Sequence, residues 1–187
     1  KIKDDEANLE VYLNSNNVSD GVEMILSQSI EDLSKRWFRS RLSALKSFKI
    51  DSEESFFKEI NELPETQYED LLKIIFLNSR NLGLGYQKQY NLAWERTDFS
   101  RHLQRLGSPC LNGDWENRIS ANVLTRLGCD QGRQIGSRYC QYWREAIDGL
   151  VAGLGDDTGY MRHSSVVVGD QNCTDVFYQD EVVPTDA

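Results

Sequence analysis

Apolar residues recur at three- and four-residue steps along most of this chain, a rhythm that predicts helices. Val22, Ile25, Leu26, Ile30, Leu33, Trp37, Phe38, Leu42 and Leu45 form the first stripe, opened by Ser19-Asp-Gly. Asp51-Ser-Glu-Glu starts a short second helix through Phe56, Phe57 and Ile60, ended by Pro64. Thr66-Gln-Tyr-Glu69 has capping-box spacing and opens a third helix. Its Leu71 to Leu77 run is apolar nearly all round, which predicts a central position. Asn81-Leu-Gly-Leu-Gly85 is expected to stop it. Asp98 to Leu106 reads as another short helix. A further one is expected from Asp114, with Trp115, Ile119, Val123, Leu124 and Leu127 on one side and Gly128 as its stop.

The pattern changes near the C-terminus. Cys140 to Gly155 reads as one amphipathic helix; Val166-Val-Val, the turn Gly169-Asp-Gln-Asn-Cys173 and Thr174 to Tyr178 read as a hairpin. A lone hairpin is rarely stable, so a third or fourth strand is expected, in Tyr86–Ala93 or between Cys110 and Asp114. The fold class is therefore α+β: a helix-rich N-terminal layer with a C-terminal helix and a small antiparallel sheet. The expected organisation is a flexible segment over 1–18, one domain over 19–180 and a loose tail over 181–187. Within the domain, 19–108 would form the helical layer and 109–180 an α/β unit of ligand-binding type.

Composition narrows the function. A chain of 187 residues with 39% hydrophobic and 10% aromatic residues can bury a core. Its formal net charge of −9 argues against nucleic acid as a partner, since phosphate binding needs a basic footprint. No apolar run reaches the length of a membrane span. The one basic stripe, Lys35, Arg36, Arg39, Arg41 and Lys46, lies on the polar side of the first helix. A solvated face is its ordinary explanation; an acidic partner or a bound anion is the alternative. Four cysteines without a CxxC pair suit reduced thiols in a cytoplasmic protein.

The candidate chemistry is concentrated in the Cys140 helix and in the hairpin after it. Gly149 and Gly153 remove side chains from one ridge, which permits either close packing or a groove for a flat ligand. Tyr142, Trp143, Ile147, Leu150 and Phe177 are candidate apolar walls, and Tyr139, Arg144 and His163 could supply polar contacts. Cys140, Cys173 and His163 are a minor candidate metal set, and their spacing matches no zinc motif. Asp170 after Gly169 is expected to cap a turn. No catalytic constellation is recognisable, and no cofactor is indicated.

From about Leu124 to Tyr178 the chain resembles the vinyl-reductase-type, hydrocarbon-binding domain and the related fold of TRAPP vesicle-tethering subunits. The likeness is carried by Gly132-Arg-Gln-Ile-Gly136 before a helix, by the glycine-notched Cys140–Gly155 helix, and by Gly169-Asp-Gln-Asn-Cys173 entering the last strand. A similar turn closes a group of amino-thiazoline-carboxylate hydrolase-like proteins. The chain departs from the pattern at Asp175, which interrupts the apolar alternation of that strand. The resemblance implies helices and sheet wrapped around a small apolar ligand or an acyl chain. Three functions are compatible with these features. The first is a regulatory, sensory or carrier module for an apolar or aromatic small molecule. The second is an assembly subunit that meets a protein partner or its own copy. The third, ranked last, is a hydrolase-like enzyme with a Cys/His pocket.

Overall fold

The computed structural model describes residues 18–90, 103–106, 108–118, 121–155 and 158–179. The expectations for the N-terminal segment before Val18, for residues 91–102 and for the tail lie outside the described residues. Three helices come first: α1 (Val18–Ser47), α2 (Glu53–Glu59) and α3 (Glu65–Tyr90). The hairpin of β1 (Asp114–Asn117) and β2 (Ala121–Arg126) comes next, then α4 (Asp130–Ile135) and α5 (Ser137–Leu154). The strands β3 (Thr158–Ser164) and β4 (Cys173–Gln179) complete an antiparallel sheet of order β1-β2-β4-β3. This is the expected α+β architecture, helices before a C-terminal sheet.

Local chemistry starts and stops the helices much as the pattern predicts. Ser52 caps α2, its hydroxyl accepting from the Ser55 N–H at 3.1 Å, with Glu53 and Glu54 in the first turn. α3 differs from expectation, running unbroken through Gly83 and Gly85 to Tyr90. The reason is packing. α3 lies against α5 so closely that a Cβ on Gly83 would sit 2.6 Å from the Leu150 carbonyl oxygen. A Cβ on Gly149 would strike the Phe76 carbonyl, and one on Gly153 the Arg80 carbonyl. Gly149 and Gly153 therefore form a helix–helix contact and no ligand groove. Each costs about 1 kcal/mol in helix propensity, offset by the close approach of two long helices.

The segment expected as a helix from Asp114 is the β1–β2 hairpin. Leu124 and Asn122 face one side of the sheet and Val123 and Ala121 the other, all buried. A strand buried on both faces shows no alternation. Trp115, Ile119, Val123 and Leu127, spaced by four, fit a period of two as well as one of 3.6. The Val166-Val-Val stretch also departs from expectation. It is a short 3₁₀ turn, and the strand pairing with β4 lies just before it, in β3. No strand forms at Tyr86, which is buried in α3, and none is described between Cys110 and Asp114, where Pro109–Leu111 is a 3₁₀ turn.

The core joins the inner faces of the helices to one face of the sheet through Leu33, Trp37, Leu71, Ile75, Ile147, Leu150 and Phe177. Trp37 Nε1 donates to Ser79 Oγ at 3.1 Å, pinning α1 to α3. Arg138, at the start of α5, donates to the Ile60 and Leu63 carbonyls at 2.8 and 2.7 Å, pairs with Glu65 and stacks on Tyr68. It thereby fixes the α2–α3 turn to α5. No helix among the described residues is long and apolar enough to cross a membrane.

Two alanine substitutions separate packing from propensity. Gly153→Ala should cost about 3 kcal/mol, because backbone on both sides must move. Gly85→Ala, whose Cβ would meet nothing within 4 Å, should gain about 0.5–1 kcal/mol from helix propensity alone. Urea unfolding measures both. Equal and small effects would mean that the α3–α5 contact is looser than this packing requires.

Candidate functional site

One large cleft opens between α1, α2, the Leu106–Pro109 segment, α4 and the first turns of α5. Its volume, about 960 Å³, lies at the upper end of the range for small-molecule sites. Aromatic side chains share its wall with polar and charged ones. Phe57 lies 4.9 Å from Tyr139 and 6.4 Å from Trp143 between ring centroids, and Phe38 lines the cleft while remaining 46% exposed. Under that wall Tyr142 stacks edge-on to both Phe57 and Trp143, at 5.1 and 5.4 Å, and Trp37 meets Trp143 at 6.3 Å.

An ion pair is set into this aromatic wall. Arg41 on α1 donates through Nε to Glu53 Oε1 of α2 at 2.7 Å, and the Tyr142 hydroxyl donates to the same oxygen. The guanidinium carbon lies 4.4 Å from the centroid of the Trp37 ring and 4.8 Å from that of Trp143. Arg41 is only 6% exposed, so it belongs to the interior and not to the solvated basic face expected for it. Burial, and then the Glu53 carboxylate, push the Tyr142 hydroxyl well above its ordinary range. Burial, with the nearby thiols of Cys110 and Cys129, raises Tyr139 as well. Both phenols are therefore neutral donors near pH 7. Tyr139 spends its proton on Gln131 Oε1 at 2.5 Å.

The sequence candidates divide. Tyr139 and Trp143 line the cleft, and Tyr142 supports it from below. Ile147 and Leu150 are fully buried in the core, and Phe177 lies on the sheet between Trp115 and Tyr160, at 5.2 and 5.1 Å. Gly149 and Gly153 face α3. His163 is exposed on β3, and exposed Arg144 pairs with Glu145 at 2.8 Å beside a separate hollow of about 180 Å³. Among the described residues no group of three or more His, Cys, Asp or Glu is arranged to hold a metal ion, so Cys140, Cys173 and His163 form no such site. All four cysteines are free.

Phe38, Arg41, Glu53 and Phe57 escape a reading of the sequence alone. They stand some 80 to 105 positions before Tyr139 and Trp143, and spacing along the chain does not report such contacts. One local signal exists: Arg41 lies one helical turn beyond Trp37, which brings a cation over an indole ring.

A second polar cluster lies at the sheet, beneath α5. Asp175, 1% exposed, accepts from Arg126, from Arg162 Nε at 2.8 Å and from the Tyr160 hydroxyl at 2.8 Å. Arg162 also reaches the Cys140 carbonyl at 3.3 Å, which ties sheet to helix. The residue that interrupts the apolar alternation of β4 is thus the acceptor that organises two buried arginines. The turn before β4 is local chemistry: Gly169 adopts φ 106°, and Asp170 Oδ2 accepts from the Ser165 N–H at 2.7 Å.

No protein-family model matches the chain, and no curated protein matches it.

The buried groups set two measurable outcomes. Asp175→Ala leaves two buried guanidinium groups without their carboxylate and should cost about 3–5 kcal/mol, read by chemical denaturation; a loss below about 1 kcal/mol, the value of an exposed pair, would show the cluster to be solvated. Burial pushes the Cys110 thiol up to about 12, so the folded protein should resist alkylation there at pH 8, while half-buried Cys129 reacts and Cys140, whose thiol burial also raises, reacts more slowly than Cys129. Peptide mapping after alkylation reads this, and modification of Cys110 ahead of the other two would contradict it.

Proposed function

We propose that this protein is a small-molecule binding module, with a regulatory, sensory or carrier role, and that its ligand occupies the cleft between α1, α2 and α5. The supporting observation is the cleft itself: about 960 Å³, with Phe38, Phe57, Tyr139 and Trp143 in a wall that also carries polar and charged side chains, among them the buried Arg41–Glu53 pair. Its volume and its aromatic side chains are features of sites that enclose organic ligands. The resemblance of Leu124–Tyr178 to hydrocarbon-binding domains points the same way. Four free thiols favour a reducing, cytoplasmic setting.

Among the described residues of the cleft, Glu53 and Glu54 are paired with Arg41 and Lys58, and no specific observation favours the enzyme reading. The assembly-subunit reading rests on a different observation. Met161 and Val176 form a short cross-strand apolar row beside buried Val123, on the sheet face opposite Leu124, and Met161 is 48% exposed. A protein partner or a second copy would cover such a row.

Native mass spectrometry of the purified protein, beside the same sample under denaturing conditions, discriminates the two. The expected result is a folded species with excess mass that is lost on denaturation, in the range of an organic ligand. A bare monomer would count against the ligand reading for the purified state, and a bare dimer would favour the assembly subunit.

A further inference from the structure

Two thiols meet at one glycine where α4 turns into α5. A Cβ on Gly132 would lie 2.8 Å from the Cys129 sulfur and 3.4 Å from the Cys140 sulfur. The two sulfurs therefore stand no more than about 6 Å apart. Gly132 is buried, and Val167 Cγ2 closes another side of the same position at 3.1 Å. Any larger residue there would meet both thiols.

Access separates this pair from the other cysteines. Cys129 and Cys140 are half-buried, and Cys140 lines the hollow of about 180 Å³ together with Ser137, Gln141 and Arg144. Cys110 and Cys173 are buried. The Cys173 sulfur is also engaged, accepting from the Val166 N–H at 3.4 Å and donating to the Ser165 hydroxyl at 4.0 Å. Proximity and access thus coincide at Cys129 and Cys140.

We propose that Cys129 and Cys140 are an oxidisable pair that hydrogen peroxide converts to a disulfide. The Cys129 thiolate attacks one peroxide oxygen, the O–O bond breaks, and hydroxide leaves to take up a proton as water. Cys129 is then a sulfenic acid. The Cys140 thiolate attacks that sulfur; the S–S bond forms, the S–O bond breaks, and a second water departs. Two thiols together lose two electrons and two protons, and the peroxide is reduced to two waters. Burial raises the Cys140 thiol, which suits it to the second step and not the first. A change of χ1 well moves a cysteine sulfur by about 3 Å, the scale of adjustment that the bond requires. In reducing compartments, transient disulfides of this kind serve redox sensing. The bond would tie the start of α4 to α5, the helices that carry Gln131, Ile135, Tyr139 and Trp143 into the large cleft.

The test is to treat the reduced protein with a small excess of hydrogen peroxide, block the remaining thiols and map the peptides without reduction. The expected product is an intramolecular Cys129–Cys140 disulfide, with free thiols falling from four to two and returning to four with dithiothreitol. In Cys140→Ser, the sulfenic acid on Cys129 has no second thiol to meet, so dimedone should trap roughly ten-fold more of it than in the unaltered protein. A disulfide from Cys140 to Cys173, a disulfide between two chains, or oxidation of Cys129 to a sulfinic acid with Cys140 still free would each overturn the proposal. So would an unchanged thiol count, or equal trapping in the variant and the unaltered protein. Should the variant not fold, the peptide map of the unaltered protein decides alone.

Discussion

The contact between α3 and α5 constrains everything else in this molecule. Gly83, Gly149 and Gly153 let the two backbones meet with no side chain between them. One side of α5 is thereby packed flush against a helix. Its large residues, Tyr139, Tyr142 and Trp143, gather near its N-terminal end toward α1 and α2. There they meet Trp37, Phe56 and Phe57 in an aromatic cluster that closes one wall of the cleft and leaves the other open. The glycines expected to open a ligand groove instead seat the helix that carries the aromatic residues.

Two buried charge clusters lie against α5, one at the sheet and one at the cleft. At the sheet, Asp175 takes hydrogen bonds from two arginines and a tyrosine, binding β2, β3 and β4 together and, through Arg162, holding them to α5. That cluster is structural. At the cleft, Glu53 accepts from Arg41 and Tyr142 and joins α1, α2 and α5. Each cluster leaves one buried arginine nitrogen without a hydrogen bond, Arg126 Nε at the sheet and Arg41 Nη1 at the cleft.

Much of the architecture is legible in the sequence. The α1 and α2 stripes, the Ser52 region as the start of α2, the amphipathic α5 and the turn at Gly169 and Asp170 all come from period, caps and turn chemistry. β2 is not legible, because both of its faces are buried and no alternation survives. The continuation of α3 through Gly83 is hidden for another reason: its glycine is explained by Leu150 and Gly153, residues about seventy positions away. The site is half visible. Tyr139 and Trp143 stand out because they lie on an obviously amphipathic helix. Arg41 reads as part of a solvated face, since nothing local announces that Glu53, Trp37 and Trp143 enclose it.

A crystal structure of the protein as purified from its expression host tests the central claim most directly. The account predicts electron density for a non-protein molecule in the α1–α2–α5 cleft, lying against Phe57 and Trp143. A cleft closed by collapse of those side chains, or filled by the protein's own chain, would contradict it.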